Sequence, residues 1–248
     1  MSDLTGKVAL VTGGSRGIGA ATARRLARDG ATVALSYNAS PDRAQAVVDE
    51  IEAAGGVAQA YSADAASADA SAALVRQVVE DWGGLDILVN NAGVYRTGPV
   101  HEFTDDDYDA NLDVNLRGSF ATIREAAKHL RDSGRVVNIG SVVGKVGFPG
   151  NAVYGAAKAA VTLLARSAAK ELGGRGITVN TVHPGPIDTE MNPADPDQNP
   201  YAETMASMTA LGRYGTADDV AAAIAFLVSD EAAYISGAEL TVDGGMTA

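Results

Sequence analysis

The chain has 248 residues, and 31 acidic residues against 19 basic ones give it a formal net charge of -12 at pH 7. The absence of cysteine excludes a disulfide framework, a thiolate metal site and a cysteine nucleophile. The three histidines are scattered along the sequence, so a histidine metal site is not expected. The acidic balance would repel a phosphate backbone or an anionic membrane surface, so we expect neither nucleic acid nor membrane as a partner, and no metal in the chemistry.

The N-terminal stretch Met1–Lys7 lacks the cationic start and apolar run of a secretion signal. Elsewhere, no apolar run approaches the length of a membrane span. We therefore expect a cytoplasmic protein.

Short β-branched apolar runs alternate with amphipathic stretches of helical length along most of the chain. This alternation predicts parallel strands joined by crossover helices. We expect strands near Val8–Thr12, Thr32–Ser36, Val57–Tyr61, Ile87–Asn90, Arg135–Gly140, Thr178–Val182 and Glu239–Val242. We expect helices near Gly17–Asp29, Asp42–Ala54, Ala68–Trp82, Asp105–Arg131, Ala152–Leu172 and Ala217–Ser229. With no linker or repeat, residues 1–248 are predicted to form a single doubly wound (Rossmann) α/β domain, a seven-stranded parallel sheet flanked by helices on both faces.

One stretch breaks the alternation. Asn192–Pro200, with the sequence NPADPDQNP, combines three prolines with acidic and amide residues that disfavour regular structure. It predicts a mobile surface segment, and because such loops often cover a site, we expect residues 188–212 to cover the substrate.

A glycine-rich loop, Thr12–Gly19 with the sequence TGGSRGIG, directly follows the first predicted strand and opens a predicted helix. Glycines let the backbone approach a pyrophosphate, whose charge the helix N-terminus stabilises. The alternative is a plain strand-to-helix turn, but strand, glycine spacing and helix together favour nucleotide binding.

The end of the second predicted strand bears on the choice of cofactor. A site that prefers NAD usually places a carboxylate there, roughly 20 residues after the glycines, to bind the ribose 2′-hydroxyl. Here the stretch Ser36–Ser40 has no carboxylate, Asn38 and Ser40 can donate hydrogen bonds, and Arg16 lies in the glycine loop. These residues favour NADP(H) over NAD(H), unless Arg16 is merely a solvated loop cation.

Four further residues carry candidate chemistry. Tyr154 and Lys158 are four residues apart in a predicted helix, so they share a face, and an adjacent ammonium can make a phenol a usable acid or base. Ser141 ends the fifth predicted strand, on the side where open parallel sheets bind ligands. Taken singly, each also fits a plain structural role: a helix surface pair and a turn cap. Asn115 lies mid-helix, where an amide usually faces solvent.

Together with NNAG at Asn90–Gly93, Asn115 and the Pro184-Gly185 turn, these motifs occur in the order and spacing of the short-chain dehydrogenase/reductase family. The resemblance covers essentially the whole chain and is closest in kind to reductases of 3-oxoacyl thioesters and related ketones. It implies reversible hydride transfer between a nicotinamide cofactor and a small-molecule ketone or secondary alcohol.

The resemblance also implies residue roles. Tyr154 would donate the proton, Ser141 would bind the carbonyl oxygen, Lys158 would lower the pKa of Tyr154 and hold the nicotinamide ribose, and Asn115 would position a water that links Lys158 to solvent. The implied cofactor contacts run from the adenosine and phosphates to the carboxamide: Gly13, Ser15, Arg16, Ile18, Gly19, Asp64, Ala65, Asn91, Ala92, Gly93, Tyr154, Lys158, Ile187 and Thr189. Asp64 could instead only cap a helix, and Asn91 could only tie neighbouring strands.

Several alternatives stay open. The chain could be a nucleotide-binding regulator that keeps the fold, although a pure binder needs neither the phenol nor its lysine, or an NAD-dependent alcohol dehydrogenase. The resemblance implies a homotetramer (or dimer), and an acyl carrier protein would need a basic patch such as Arg96, Lys145 and Arg213. Tyr95 and residues 142–144 are expected to line the substrate pocket, with His183 as a nearby turn residue.

Overall fold

A computed structural model describes residues 3–248. Seven parallel strands form one sheet in the order β3-β2-β1-β4-β5-β6-β7, which confirms the predicted doubly wound α/β fold. The strands are β1 Val8–Val11, β2 Thr32–Tyr37, β3 Val57–Ser62, β4 Leu85–Asn90, β5 Leu130–Ile139, β6 Thr178–Pro184 and β7 Glu239–Val242. The helices are α1 Gly17–Arg28, α2 Pro41–Ala53, α3 Ala68–Trp82, α4 Asp105–Leu112, α5 Ser119–His129, α6 Ala152–Leu172, α7 Ala202–Ser207 and α8 Ala217–Val228. Within residues 3–248, none of these helices combines the length and apolar character that a membrane crossing requires.

The sheet is covered on both faces because successive strand side chains point to opposite sides. On β1, Ala9 and Val11 pack into a core shared with α1, α2 and α8. Val8 and Leu10 on the same strand pack into a second core with α3, α5 and α6. Continuous burial along β1 thus explains its unbroken apolar sequence.

The strand order reverses between β1 and β4. The chain runs outward from β1 through β2 to β3, then crosses back to β4 on the other side of β1. Connections on either side of this point lead away from each other, so a crevice opens at the carboxyl ends of β1 and β4. The fold therefore places the glycine loop and the NNAG motif at one crevice.

The predicted helix Asp105–Arg131 is interrupted. A π-helical turn, Asp113–Gly118, separates α4 from α5. Asn115 within this turn donates its side-chain amide to the Asn111 carbonyl at 3.0 Å, and Ser119 donates its hydroxyl to the Asn115 carbonyl at 3.0 Å. These side-chain bonds take up carbonyls that a continuous helix would use, and such turns occur often at functional sites.

The same helix also ends earlier than predicted. It stops at His129, and Leu130 already pairs with Leu85 as the first residue of β5, whose main ladder follows after a register shift. Arg131, predicted to end the helix, instead donates to the Asp86 carboxylate at 2.7 Å. Because this buried carboxylate holds Arg131 near the amino ends of β4 and β5, tertiary pairing overrides the local helical pattern.

The segment 188–212 contains one short helix, α7, and an isolated bridge between Thr189 and Asn192. The rest of Asn192–Pro200 consists of turns and bends, as its prolines predict. The Tyr214 hydroxyl lies 3.2 Å from the Asn199 side-chain amide and anchors the segment from the following loop.

Candidate active site

The glycine loop connects β1 to α1 at the crevice. Gly13 and Gly17 have φ values of +64° and +53°, which L side chains rarely adopt. A Cβ at Gly13 would stand 2.9 Å from the Ala92 Cα, so the loop can approach β4 only without a side chain there. The first N–H groups of α1 have no intrahelical acceptors, and the first turn carries no acidic residue. This cradle fits the pyrophosphate of a dinucleotide.

Asn91 ties β4 to the glycine loop. Its side-chain amide donates to the Thr12 carbonyl at 2.9 Å and to the Gly13 carbonyl at 3.0 Å. The Thr12 hydroxyl accepts from the backbone N–H groups of Asn91 and Ala92, both at 3.0 Å. The Asn91 amide therefore makes the bonds expected of a residue that ties neighbouring strands. Thr12 supports the same connection and was not predicted from the sequence.

The end of β2 faces the end of β3. The Asn38 side-chain amide donates to Asp64 Oδ1 at 3.3 Å, and the same oxygen accepts from the Ala66 N–H at 3.0 Å. Asp64 thus supports the turn that leads to α3, while the Ala65 carbonyl packs closely on Gly118. Ser40 is the N-cap of α2, yet its hydroxyl makes no capping hydrogen bond.

A second arginine lies beside Arg16. Arg43, in the first turn of α2, donates to Glu190 Oε1 at 2.6 Å, and Arg16 Nη1 lies 3.6 Å from Glu190 Oε2. The hydrogen bond from Arg43 lowers the pKa of Glu190, and the same bond raises the pKa of Arg43. Sequence reasoning missed Arg43, although its position three residues after Ser40 was a usable signal.

The remaining predicted cofactor residues lie around this crevice with different exposures. Ser15 is partly exposed in the loop, whereas Gly19 is buried and Ile18 packs against the core. Thr189 approaches Gly17, where an added Cβ would meet its Cγ2 at 3.4 Å. The side chain of Ile187 is buried in the core, so the expected contact with a carboxamide would have to come from its main chain.

Tyr154 and Lys158 share one face of α6, as their spacing predicts. Lys158 is buried, and its Nζ donates to the Ile139 carbonyl at the end of β5 at 2.8 Å. The same Nζ lies 5.7 Å from the centroid of the Tyr154 ring. Tyr95 packs edge-on against Tyr154 with 4.8 Å between ring centroids, so it lies beside the candidate site.

The pKa values of this pair differ from the expected pattern. Burial raises the pKa of Tyr154 strongly, Tyr95 adds to the rise, and a side-chain hydrogen bond with Ser141 opposes it. In the structure, burial outweighs any lowering of this pKa by Lys158, which donates to the Ile139 carbonyl. Burial lowers the pKa of Lys158 to about 8. The raised pKa keeps the Tyr154 phenol protonated at neutral pH.

Ser141 follows β5 and is the N-cap of a short 3₁₀ turn, Val142–Gly144. Its Oγ accepts from the Val143 N–H at 3.4 Å. Val142 was expected to line the substrate pocket, but its side chain is buried. Val143, the next residue of this turn, is partly exposed.

Asn115 is wholly buried, contrary to the usual exposure of a mid-helix amide. Its amide donates to the Val94 carbonyl at 2.9 Å, and its Oδ1 has no hydrogen-bond partner in the part of the chain that the structure describes. A Cβ on Gly93 would meet this Oδ1 at 2.8 Å and Lys158 Nζ at 3.6 Å. Gly93 therefore lies beside both Asn115 Oδ1 and Lys158 Nζ, and its lack of a side chain keeps the space between these two atoms open.

The comparisons with known proteins bear on this arrangement. A family model described as "Enoyl-(Acyl carrier protein) reductase" matches residues 13–247. A 3-oxoacyl-[acyl-carrier-protein] reductase FabG from Staphylococcus aureus is 45% identical over 242 residues, which cover 97% of this chain and 98% of the relative. The chain belongs to the short-chain dehydrogenase/reductase family. Membership confirms the resemblance read from the motifs and makes the chain an oxidoreductase.

Two solved structures superpose closely on this short-chain dehydrogenase/reductase. One from Burkholderia cenocepacia in complex with NADP is 51% identical, with a TM-score of 0.96 and coverage of 99% of this chain and 100% of that one. A blue fluorescent protein from a metagenomic library in complex with NADPH is 45% identical, with a TM-score of 0.96 and the same coverage. The backbone around the site is therefore shared with proteins crystallised with NADP(H).

Proposed function

We propose that the chain is an NADP(H)-dependent carbonyl reductase that interconverts a ketone and a secondary alcohol. The observation that carries the proposal is the convergence of Ser141, Tyr154 and Lys158 beside the glycine loop, at the carboxyl ends of parallel strands. A binding protein gains nothing from a protonated phenol beside a serine hydroxyl, so the arrangement supports catalysis over regulation.

The residues at the crevice fit an NADP(H) molecule. The glycine loop and the N-terminus of α1 would hold the pyrophosphate, and Arg16, Arg43, Asn38 and Ser40 would bind a 2′-phosphate. When bound, the nicotinamide supplies the hydride to the carbonyl carbon. No carboxylate ends β2, which supports NADP(H) over NAD(H).

The chain's own residues handle the oxygen of the substrate. The Ser141 hydroxyl orients the carbonyl oxygen and stabilises the charge that develops on it. Tyr154, whose raised pKa keeps its proton in place, donates that proton to the same oxygen. Lys158 holds the nicotinamide ribose, and a water on Asn115 Oδ1 would connect Lys158 to solvent and restore the proton.

The substrate class follows from charge and from the relatives. Curated relatives are named 3-oxoacyl-[acyl-carrier-protein] reductases, which supports a 3-oxoacyl thioester. However, Lys145 lies 3.9 Å from Glu239 and Arg213 lies 3.6 Å from Asp219, so two of the three basic residues expected to meet an acidic carrier are paired internally. We therefore favour a low-molecular-weight thioester or ketone, covered by residues 188–212.

A substrate panel tests the proposal. NADPH oxidation is followed with 3-oxoacyl-CoA thioesters, the same acyl groups on an acyl carrier protein, β-keto esters and aryl ketones. We expect turnover with the free thioesters or ketones and no gain in kcat/KM from the carrier protein. Tight NADPH binding without turnover of any compound in the panel would contradict the proposal and favour a nucleotide-binding regulator.

Arginine substitutions test the choice of cofactor. Because a charge-assisted hydrogen bond to a phosphate contributes about 1.5–3 kcal/mol, we expect Arg16→Ala and Arg43→Ala each to raise KM for NADPH by about 10- to 100-fold. KM for NADH, which has no 2′-phosphate, stays within about twofold. Steady-state kinetics with both cofactors measure this.

The matched control is Arg24→Ala, since Arg24 pairs with Glu50 at the protein surface away from the glycine loop. It should change neither KM. Equal changes for NADPH and NADH in the Arg16 and Arg43 variants would contradict the assignment of the 2′-phosphate site.

The family resemblance also supports a homotetramer. Phe120 on α5 and Leu163 on α6 are exposed in the single chain, with 45% and 64% of their surface accessible. Apolar side chains on these two helices would become buried against a second copy.

A further inference from the structure

His183 is a buried imidazole for which the proposed reaction has no use. The sequence predicts a turn residue at this position, but His183 lies inside β6 with no exposed surface. Its ring sits directly beneath the end of β5: a Cβ on Gly140 would meet Nδ1 at 2.7 Å. Any residue other than glycine at position 140 would push the imidazole away from Ser141.

Nδ1 of His183 faces the main chain of Ser141. The Ser141 N–H donates to Nδ1 at 3.2 Å, and the Ser141 carbonyl oxygen lies 2.9 Å from the same nitrogen. Among the described residues, this nitrogen is the hydrogen-bond acceptor found for the Ser141 N–H, whereas the preceding N–H of Gly140 pairs with the Val182 carbonyl. The hydrogen-bond ladder between β5 and β6 therefore ends at Gly140, and at Ser141 the His183 imidazole replaces a strand carbonyl as the partner of the backbone N–H.

Nε2, on the far side of the ring, faces an acceptor. It lies 3.3 Å from Glu239 Oε2 on β7, and Arg166 on α6 donates to the other oxygen of that carboxylate at 2.5 Å. The Thr162 hydroxyl, 3.5 Å from Nε2, already donates to the Lys158 carbonyl at 3.0 Å. The Ser141 carbonyl can likewise only accept, so each ring nitrogen faces an acceptor. Without a proton, Nδ1 accepts from the Ser141 N–H; with a proton, it donates to the Ser141 carbonyl, so either form bonds the main chain of Ser141.

We propose that His183 is a positioning residue whose Nδ1 holds the main chain of Ser141 from beneath and thereby fixes the serine hydroxyl opposite Tyr154. The inference rests on the proposed carbonyl reduction. Through Thr162 the same imidazole contacts the helical turn of Lys158, so one buried ring supports the turns that carry both functional side chains. Orientation of such groups to within a fraction of an ångström governs their contribution to the rate.

A matched pair of substitutions tests the role. In His183→Asn, a side-chain oxygen can occupy the place of Nδ1 and accept from the Ser141 N–H, whereas in His183→Gln the polar group reaches toward Glu239 instead. We expect His183→Asn to retain kcat within about threefold and His183→Gln to lower it about tenfold or more, with KM and NADPH affinity changed less than kcat. Thermal unfolding of both variants is followed in parallel. If His183 had a purely structural role, the loss of kcat in each variant would follow its loss of thermal stability, whichever amide side chain replaced the imidazole.

A second measurement needs neither turnover nor a variant that folds. In protein labelled with ¹⁵N-histidine, NMR correlations from the ring protons distinguish the two neutral tautomers, and the chain has only three histidines. We expect one histidine whose Nδ1 gives the shift of a hydrogen-bonded nitrogen, either accepting from the Ser141 N–H or donating to its carbonyl. An Nδ1 with no hydrogen bond, or equal kcat in the Asn and Gln variants, would overturn the inference. If the wild type turns over no carbonyl, the proposed function fails, and the Nδ1 shift alone decides whether His183 holds Ser141.

Discussion

Replacing Tyr154 by phenylalanine is expected to lower kcat for ketone reduction by about 10²–10⁴, the usual contribution of a positioned general acid. The substitution removes only the phenolic O–H. The ring that packs against Tyr95, 4.8 Å away between centroids, is kept, so the fold and the crevice should be unchanged. Because the raised pKa of Tyr154 keeps the phenol protonated at neutral pH, the lost group is a proton donor, and the loss should appear in the reductive direction. Stopped-flow NADPH oxidation under single-turnover conditions measures the chemical step.

Two controls accompany this variant. Tyr95→Phe keeps the edge-on packing and should retain most of kcat, while Tyr234→Phe alters a fully exposed residue and should change nothing. NADPH affinity of Tyr154→Phe, measured by fluorescence titration, is expected to stay within about threefold of wild type. Retained turnover in Tyr154→Phe would remove the phenol from the mechanism, and a parallel loss of NADPH binding would point to a distorted site instead.

The fold could be predicted from the sequence because the strand patterns and the helix patterns both indicate the same parallel α/β architecture. Buried parallel strands show as unbroken apolar runs such as Val8–Val11, and the helices between them carry amphipathic patterns. The two errors, at Asp113–Gly118 and Arg131, both involve contacts that helical propensity does not register. At the π-helical turn, Asn115 and Ser119 bond nearby carbonyls and Ala65 packs against Gly118. Arg131 is held by Asp86, a partner distant in the sequence.

The candidate site was predicted where its residues fall in short motifs. Gly13–Gly19 and the pair Tyr154 and Lys158 each lie within one strand–turn–helix unit or one helix turn, so each could be found in the sequence, and the combination of motifs made them specific. Glu190 was not predicted, since it meets Arg43 across 147 positions of sequence. His183 was placed in a turn because Pro184 follows it, although that proline ends β6 without removing the histidine from the sheet.

The pH dependence of reduction should be set by Lys158. Burial disfavours the ammonium and lowers its pKa to about 8, from 10.5, so the side chain is charged below that pH and neutral above it. Since the proposed role of Lys158 is to hold the nicotinamide ribose and pass protons toward Tyr154, we expect kcat/KM for reduction to be full on the acidic side and to fall as pH rises through about 8. Tyr154 does not account for such a fall, because its own pKa is raised above the ordinary value of 10.0.

Substitutions separate the lysine from other groups that titrate nearby. Lys158→Met removes the charge at every pH, so kcat should drop about 100-fold or more and the fall near pH 8 should disappear from the profile. In Lys158→Arg the guanidinium stays charged throughout, and the residual activity should therefore persist to higher pH even though the larger group fits the buried position poorly. Lys170→Met, on an exposed turn of the same helix, is the matched control and should keep both rate and profile. A fall near pH 8 that survives in Lys158→Met would assign it to another group and would leave the buried ammonium with a structural role through the Ile139 carbonyl alone.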